Sequence, residues 1–109
     1  MQKIITDLFD SLEKLKLTIA ERYNVSENRA RAEYEYRTQL GREMAVAKSA
    51  GMAKTALYEY CRSLEKITKL REERDILIVK EEYLTELIYY YRTSVRVYEG
   101  EAAAGRKGL

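Results

Sequence analysis

The 109-residue chain contains no histidine, no proline and no tryptophan, and only one cysteine and five glycines. Each gap removes a class of chemistry. Without histidine, Ser-His-Asp and Cys-His nucleophilic arrangements cannot be assembled, nor can the Glu-x-x-His ligand pairs of helical di-iron bundles. The lone thiol, Cys61, allows no internal disulfide framework, which favours a reducing compartment, and it supplies too few ligands for a structural zinc site. The scattered glycines build no phosphate-cradling loop. No apolar run approaches the roughly 20 residues that span a bilayer, and the N-terminus carries no signal-peptide pattern. A cytoplasmic protein without membrane contact is therefore expected, and Asn24-Val25-Ser26 is a chance match to the glycosylation triplet. No catalytic residue, metal or cofactor is expected, so the chain reads as a non-enzyme.

What remains is helix-forming material. Charged residues make up 35% of the chain, and 20 Lys and Arg nearly balance 18 Asp and Glu. Interspersed charge of both signs is the pattern of solvated helix faces, and a net charge of +2 is too small to imply nucleic acid by itself. With proline absent, glycine is the main punctuation. Gly51, read as the residue just past a helix end, divides the chain into arms at about 2–49 and 53–99, each roughly 70 Å long if continuous. The expected fold is all-α, a long helical hairpin or coiled coil turning near Gly51 and assembling into an oligomeric helical bundle. Residues 1–100 read as a single helical domain and residues 101–109 as a flexible tail. Gly41, alone inside the first arm, points to a close helix approach.

Along the first arm an apolar row runs through Ile5, Leu8, Leu12, Leu15 and Ile19 in steps of three and four. It lapses around Asn24–Ser26, where Ser26 has the chemistry of a helix N-cap, so a break near residues 24–26 is left open. It resumes through Ala30, Tyr34, Arg37, Leu40, Met44 and Ala47. The second arm is more regular. Ile67, Leu70, Leu77, Leu84, Ile88, Tyr91, Val95 and Tyr98 form a heptad seam, read as an oligomer seam. Arg74 and Glu81 interrupt it, either fixing register or marking a stretch open to water. Cys61 reads as a small core residue.

Ile76-Leu77-Ile78-Val79 are consecutive and span about 300° of a helix, which calls for cover on more than one side. A homodimer or higher homo-oligomer is the preferred source of that cover. Tyr89-Tyr90-Tyr91 likewise project in three directions, and Tyr89, Tyr90, Arg92 and Arg96 form a candidate partner patch, with burial inside an oligomer as the competing reading. Arg62, Lys66 and Lys69 share one helix face and are the candidate nucleic-acid face, with single-stranded nucleic acid as the ligand. Glu72, Glu73, Asp75, Glu81, Glu82 and Glu86 could in principle hold a hard cation. Their interleaving with Lys and Arg, as in the Glu65–Lys69 pair, reads instead as an ion-pairing face.

Ala32-Glu33-Tyr34-Glu35-Tyr36-Arg37, the turn Ala50-Gly51-Met52-Ala53, Leu70-Arg71-Glu72-Glu73-Arg74-Asp75 and Tyr83-Leu84 come in an order and spacing that resembles a group of short helical proteins of uncharacterised function, encoded by phages and prophages of Gram-positive bacteria. The resemblance covers roughly residues 30–98. It departs from the group at Ala53, near where a proline usually follows the turn glycine, and in an added N-terminal segment of about 28 residues. It implies a viral accessory protein, often encoded near replication and recombination genes, and brings no catalytic residues with it. The expected function is a non-enzymatic accessory or adaptor protein that contacts an unidentified protein partner, with inhibition of a host defence or replication enzyme as a form that fits this class. The alternative is an accessory factor for single-stranded DNA in recombination or replication.

Overall fold

The computed structural model describes residues 2–107, with side chains described to residue 105. Three helices account for nearly all of them: α1 (Gln2–Ser49), α2 (Lys54–Ser63) and α3 (Glu65–Lys107), with no strand among the described residues. The all-α expectation holds. The division at Gly51 also holds, for the reason that sequence suggests. Gly51 has φ of +91°, a conformation in which a Cβ is strained. Its N–H donates to the Lys48 carbonyl and the Met52 N–H to the Ala47 carbonyl, the paired bonds of a Schellman terminus.

One boundary left open by the sequence is decided, and two others differ from expectation. α1 runs unbroken through residues 24–26, because Val25 points inward and is buried and neither proline nor glycine interrupts the helix. The second arm, in contrast, is two helices. Leu64 between them is extended (φ −60°, ψ 138°). The Thr68 hydroxyl donates to the Arg62 carbonyl and the Ser63 hydroxyl to the Tyr60 carbonyl, satisfying groups that the interrupted ladder would orphan. Finally, residues 101–107 are helical rather than a loose tail; the alanines at 102–104 are the strongest helix formers, and Ala102 is buried. The rest of the expected tail, 108–109, lies outside the described residues.

By internal contact the chain divides into two compact units. Helices pack mainly on what lies beside them, so long helices need not share one core. Val25–Val79 form a three-helix unit. Its core comprises Tyr36, Leu40 and Ala47 of α1, Leu57 and Cys61 of α2, and Ile67 of α3, with Met44, Met52, Leu64 and Leu70 packed against it. Ile67 and Cys61 are fully buried, so the thiol occupies the core position expected of it. In this unit Glu33 meets Arg74 and Glu43 meets Lys66, so rising numbers on α1 face falling numbers on α3. The helices are antiparallel there.

The other unit joins residues up to Asn24 with those from Lys80 onward. Only two helices contribute. Thr18, Leu84, Ile88, Val95 and Ala102 are its buried residues. Arg22 Nε donates to Thr85 Oγ1 at 2.8 Å, and Lys80 approaches Glu21 at 3.9 Å.

Candidate functional site

The α3 seam lies inside the chain. Ile67, Leu84, Ile88 and Val95 are buried, and Leu70, Leu77, Tyr91 and Tyr98 are half-buried. These residues, expected to line an oligomer seam, pack within one molecule, where α1 supplies a matching row. That row is the expected one in part: Leu8, Leu15, Leu40, Met44 and Ala47 of the expected row are half-buried or buried. Ile4, Ser11, Thr18, Arg22, Val25, Arg29 and Tyr36 join them along α1. The steps are still three and four, but short and polar side chains occupy several of them, so aliphatic periodicity places Ile5, Leu12 and Ile19 in the row, each one residue beyond a packed position. Tyr34 and Ala30 are exposed, and Arg37 reaches back along the surface to Glu33.

Arg74 resolves the choice left by the sequence. Its side chain is only 20% exposed, and its Nη1 donates to Glu33 Oε2 at 3.1 Å across the helices. Its guanidinium centre lies 4.6 Å from the centroid of the Tyr36 ring, and Asp75 accepts two further bonds from it. A charge held this way favours one register over its neighbours, since sliding either helix forfeits the Glu33 bond and the Tyr36 contact while only the local Asp75 pair remains. The hydrogen bond from Arg37, at 2.6 Å, holds the Glu33 carboxyl below the ordinary carboxylate range, with Arg74 reinforcing it against desolvation. The bonds to Asp75 and Glu33 raise the Arg74 pKa despite desolvation.

The basic face does not present free cations together. Lys66 pairs with Glu43 at 2.5 Å and Lys69 with Glu65 at 3.2 Å. Arg62 lies 5.6 Å from the Tyr58 ring centroid, and hydrogen bonding with Tyr36 raises its pKa. Among the described residues no group of three or more His, Cys, Asp or Glu is placed to hold a metal ion, and no helix is long and apolar enough to cross a membrane. Gly41 makes no close helix approach: a Cβ there would meet nothing within 4 Å. It sits on an exposed stretch of α1.

Two exposed rows stand out, both in the two-helix unit. On α1, Ile5, Phe9, Leu12, Ile19 and Tyr23 are exposed, Phe9 to 64% and Tyr23 to 70%. They follow a second heptad line, one residue beyond the packed row, with Lys16 as its only charge. Three of these residues, Ile5, Leu12 and Ile19, belong to the row that sequence reading assigns to the core. On α3, Tyr83, Tyr90 and Val97 are exposed at seven-residue intervals, one residue before the packed Leu84, Tyr91 and Tyr98. Tyr89 flanks them, also exposed. Tyr91 turns inward and meets Tyr90 edge to face, with centroids 5.5 Å apart. Of the candidate patch, Tyr89 and Arg92 share a shallow groove with Arg22, Thr85 and Ile88, and Tyr90 and Arg96 are exposed.

In the three-helix unit, Ile76 and Val79 are exposed and Leu77 and Ile78 half-buried. The additional cover that their run calls for is not supplied within the chain. Comparisons with protein-family models, curated proteins and solved structures find no match to this chain.

Proposed function

We propose that the chain is a non-enzymatic accessory or adaptor protein of the phage type, acting by protein–protein contact through the exposed apolar row of α1. The observation that carries this reading is the ladder Ile5, Phe9, Leu12, Ile19 and Tyr23, open to solvent beside a separate row that already packs the helix. Scattered apolar side chains on a surface need no explanation, but a contiguous heptad line marks a contact surface. Its spacing suits an amphipathic helix of a partner, whose anchors would recur one turn apart. The phage class rests on the resemblance of residues 30–98, and a host defence or replication enzyme is the kind of partner it suggests.

The test offers the immobilised chain a lysate of Gram-positive cells, alongside Phe9→Glu and Leu12→Glu variants. A specific protein should be retained by the native chain and lost from both variants, each of which keeps its helical spectrum. Retention that ignores both substitutions would remove the α1 row from the mechanism. Magnesium-dependent release of phosphate or pyrophosphate from nucleotides by the pure chain would contradict the non-enzymatic reading.

A further inference from the structure

The two-helix unit has two open sides, and they carry different chemistry. α1 and α3 are each unbroken, and they run antiparallel. Each residue turns a helix by about 100°, and reversing one helix reverses the sense of that turn. Residues one position beyond the packed rows of both helices therefore face the same side. On α1 these are Ile5, Leu12 and Ile19, which follow the packed Ile4, Ser11 and Thr18. On α3 they are Thr85, Tyr89, Arg92 and Arg96, which follow Leu84, Ile88, Tyr91 and Val95. The contacts agree with this assignment. Arg22 Nε donates to Thr85 Oγ1, and Arg22, Thr85, Tyr89 and Arg92 line one groove with Ile88. The apolar row of α1 and this groove thus share a side. Tyr83, Tyr90 and Val97, each one residue before a packed position, lie on the other.

The groove is positive. Thr85 donates its hydroxyl proton to the Glu81 carbonyl at 2.9 Å and accepts from Arg22, which holds the Arg22 guanidinium in place. Neither Arg22 nor Arg92 is in an ion pair with another described residue, and among the described residues no carboxylate lines the groove. Arg96 stands one turn beyond Arg92, and Lys16 lies within the apolar row, both exposed. The acids of this side, Glu86 and Glu99, close the α3 edge at its two ends. With a volume of about 190 Å³ the groove is smaller than the roughly 300–1,000 Å³ of small-molecule sites. It has room for one carboxylate-bearing side chain.

We propose, resting on the α1 reading above, that the partner helix received by the α1 row is acidic, with an Asp or Glu one turn from its apolar anchors bound between Arg22 and Arg92. Guanidinium groups hold carboxylates through paired, charge-assisted hydrogen bonds, and the apolar anchors of a helix recur at the spacing of the α1 row. Phosphates share the guanidinium chemistry, but a nucleic-acid strand brings no apolar anchors for Ile5, Leu12 and Ile19.

Three stapled helical peptides test this against the full-length chain. They share one leucine row at i, i+3 and i+7 and differ only in their flanking residues, which are all Glu, all Gln or all Lys. By fluorescence anisotropy the Glu peptide should bind about tenfold or more tightly than the Gln peptide, and the Lys peptide more weakly still, with the differences shrinking as salt rises. Arg22→Gln/Arg92→Gln should abolish the advantage of the Glu peptide and leave the Gln peptide unchanged. Lys14→Gln/Lys80→Gln removes the same charge from the opposite side, where Lys14 and Lys80 precede the half-buried Leu15 and Glu81, and should preserve the advantage. Circular dichroism should be unaltered in both. Equal affinities for the three peptides, or loss of the advantage in both double variants, would overturn the acidic partner and leave the α1 row in place. Absence of binding by every peptide would remove the α1 row and the acidic partner with it. A single-stranded oligonucleotide bound by the native chain and released by Arg22→Gln/Arg92→Gln would assign these arginines to phosphate and overturn the proposal.

Discussion

The two units of this molecule are made of the same kind of helix and differ in how many helices they contain. In Val25–Val79 the short α2 brings Leu57 and Cys61 against Tyr36, Leu40, Ala47 and Ile67, and Ile67 and Cys61, the fully buried side chains among the described residues, are there. In the unit of residues to Asn24 and from Lys80, two helices can cover only one row on each other. The second rows, Ile5 to Tyr23 and Tyr83 to Val97, stay in water. A third helix gives one region an enclosed core, although Ile76 and Val79 stay exposed on its surface, and its absence leaves whole rows of the other open for contact with other molecules.

The sharpest way to break this comparison is to truncate a side chain in each unit. Ile67→Ala removes a fully buried side chain from the three-helix core and should cost about 2–5 kcal/mol. Phe9→Ser removes a larger side chain from the exposed row and should stay within about 0.5 kcal/mol at monomeric dilution. Urea denaturation read by circular dichroism gives both values. Similar losses at the two positions would abolish the distinction between closed and open units.

Two glycines of α1 and its turn provide the next contrast. At Gly51 the positive φ makes Gly51→Ala destabilising by about 1–2 kcal/mol. At Gly41, helical and facing open space, Gly41→Ala should stabilise by about 1 kcal/mol. The two thermal midpoints should therefore move in opposite directions, and movement in the same direction would contradict the assigned backbone at one of them.

The smallest expected effect concerns the polar lock of the three-helix unit. Because folding lowers the Glu33 pKa, its stabilisation is complete above the unfolded value near 4.5 and is lost as pH falls through the lower folded value. Glu33→Gln should cost about 0.5–1 kcal/mol at pH 7, and the difference from the native chain should fade in acid below that range. A pH-independent difference in urea midpoints would show that the carboxylate charge is not what matters.

Much of the fold was legible because local rules are strong. Gly51 marked the turn through its backbone freedom, and the Leu84-to-Tyr98 stretch marked its seam through heptad spacing. The Leu64 break was not legible, since no proline or glycine marks it and it is satisfied by Ser63 and Thr68 hydroxyls, groups equally at home inside a helix. Leu8 and Leu15 of the α1 row were legible, but Ile5, Leu12 and Ile19 were placed in it one residue too far for a related reason. Ser11, Thr18, Arg22 and Arg29 occupy packed positions, while Ile5, Leu12 and Ile19 look more like core than they are. That misplacement is informative: apolar residues with the spacing of a core, yet left outside it, are the candidate contact surface. Tyr89, Tyr90 and Arg96 stood out by residue type, but which of them share a face depends on how α3 is turned, and only Tyr89 joins Arg92 in a groove.

Carbene labelling of the full chain across a concentration series tests most directly whether the two-helix unit completes its apolar cover by association. Labelling of Tyr90 and Val97 should fall as concentration rises through association, while Tyr34, exposed in the three-helix unit, stays labelled throughout. Equal labelling of Tyr90 and Val97 at every concentration, or their full protection in a monomer, would contradict it.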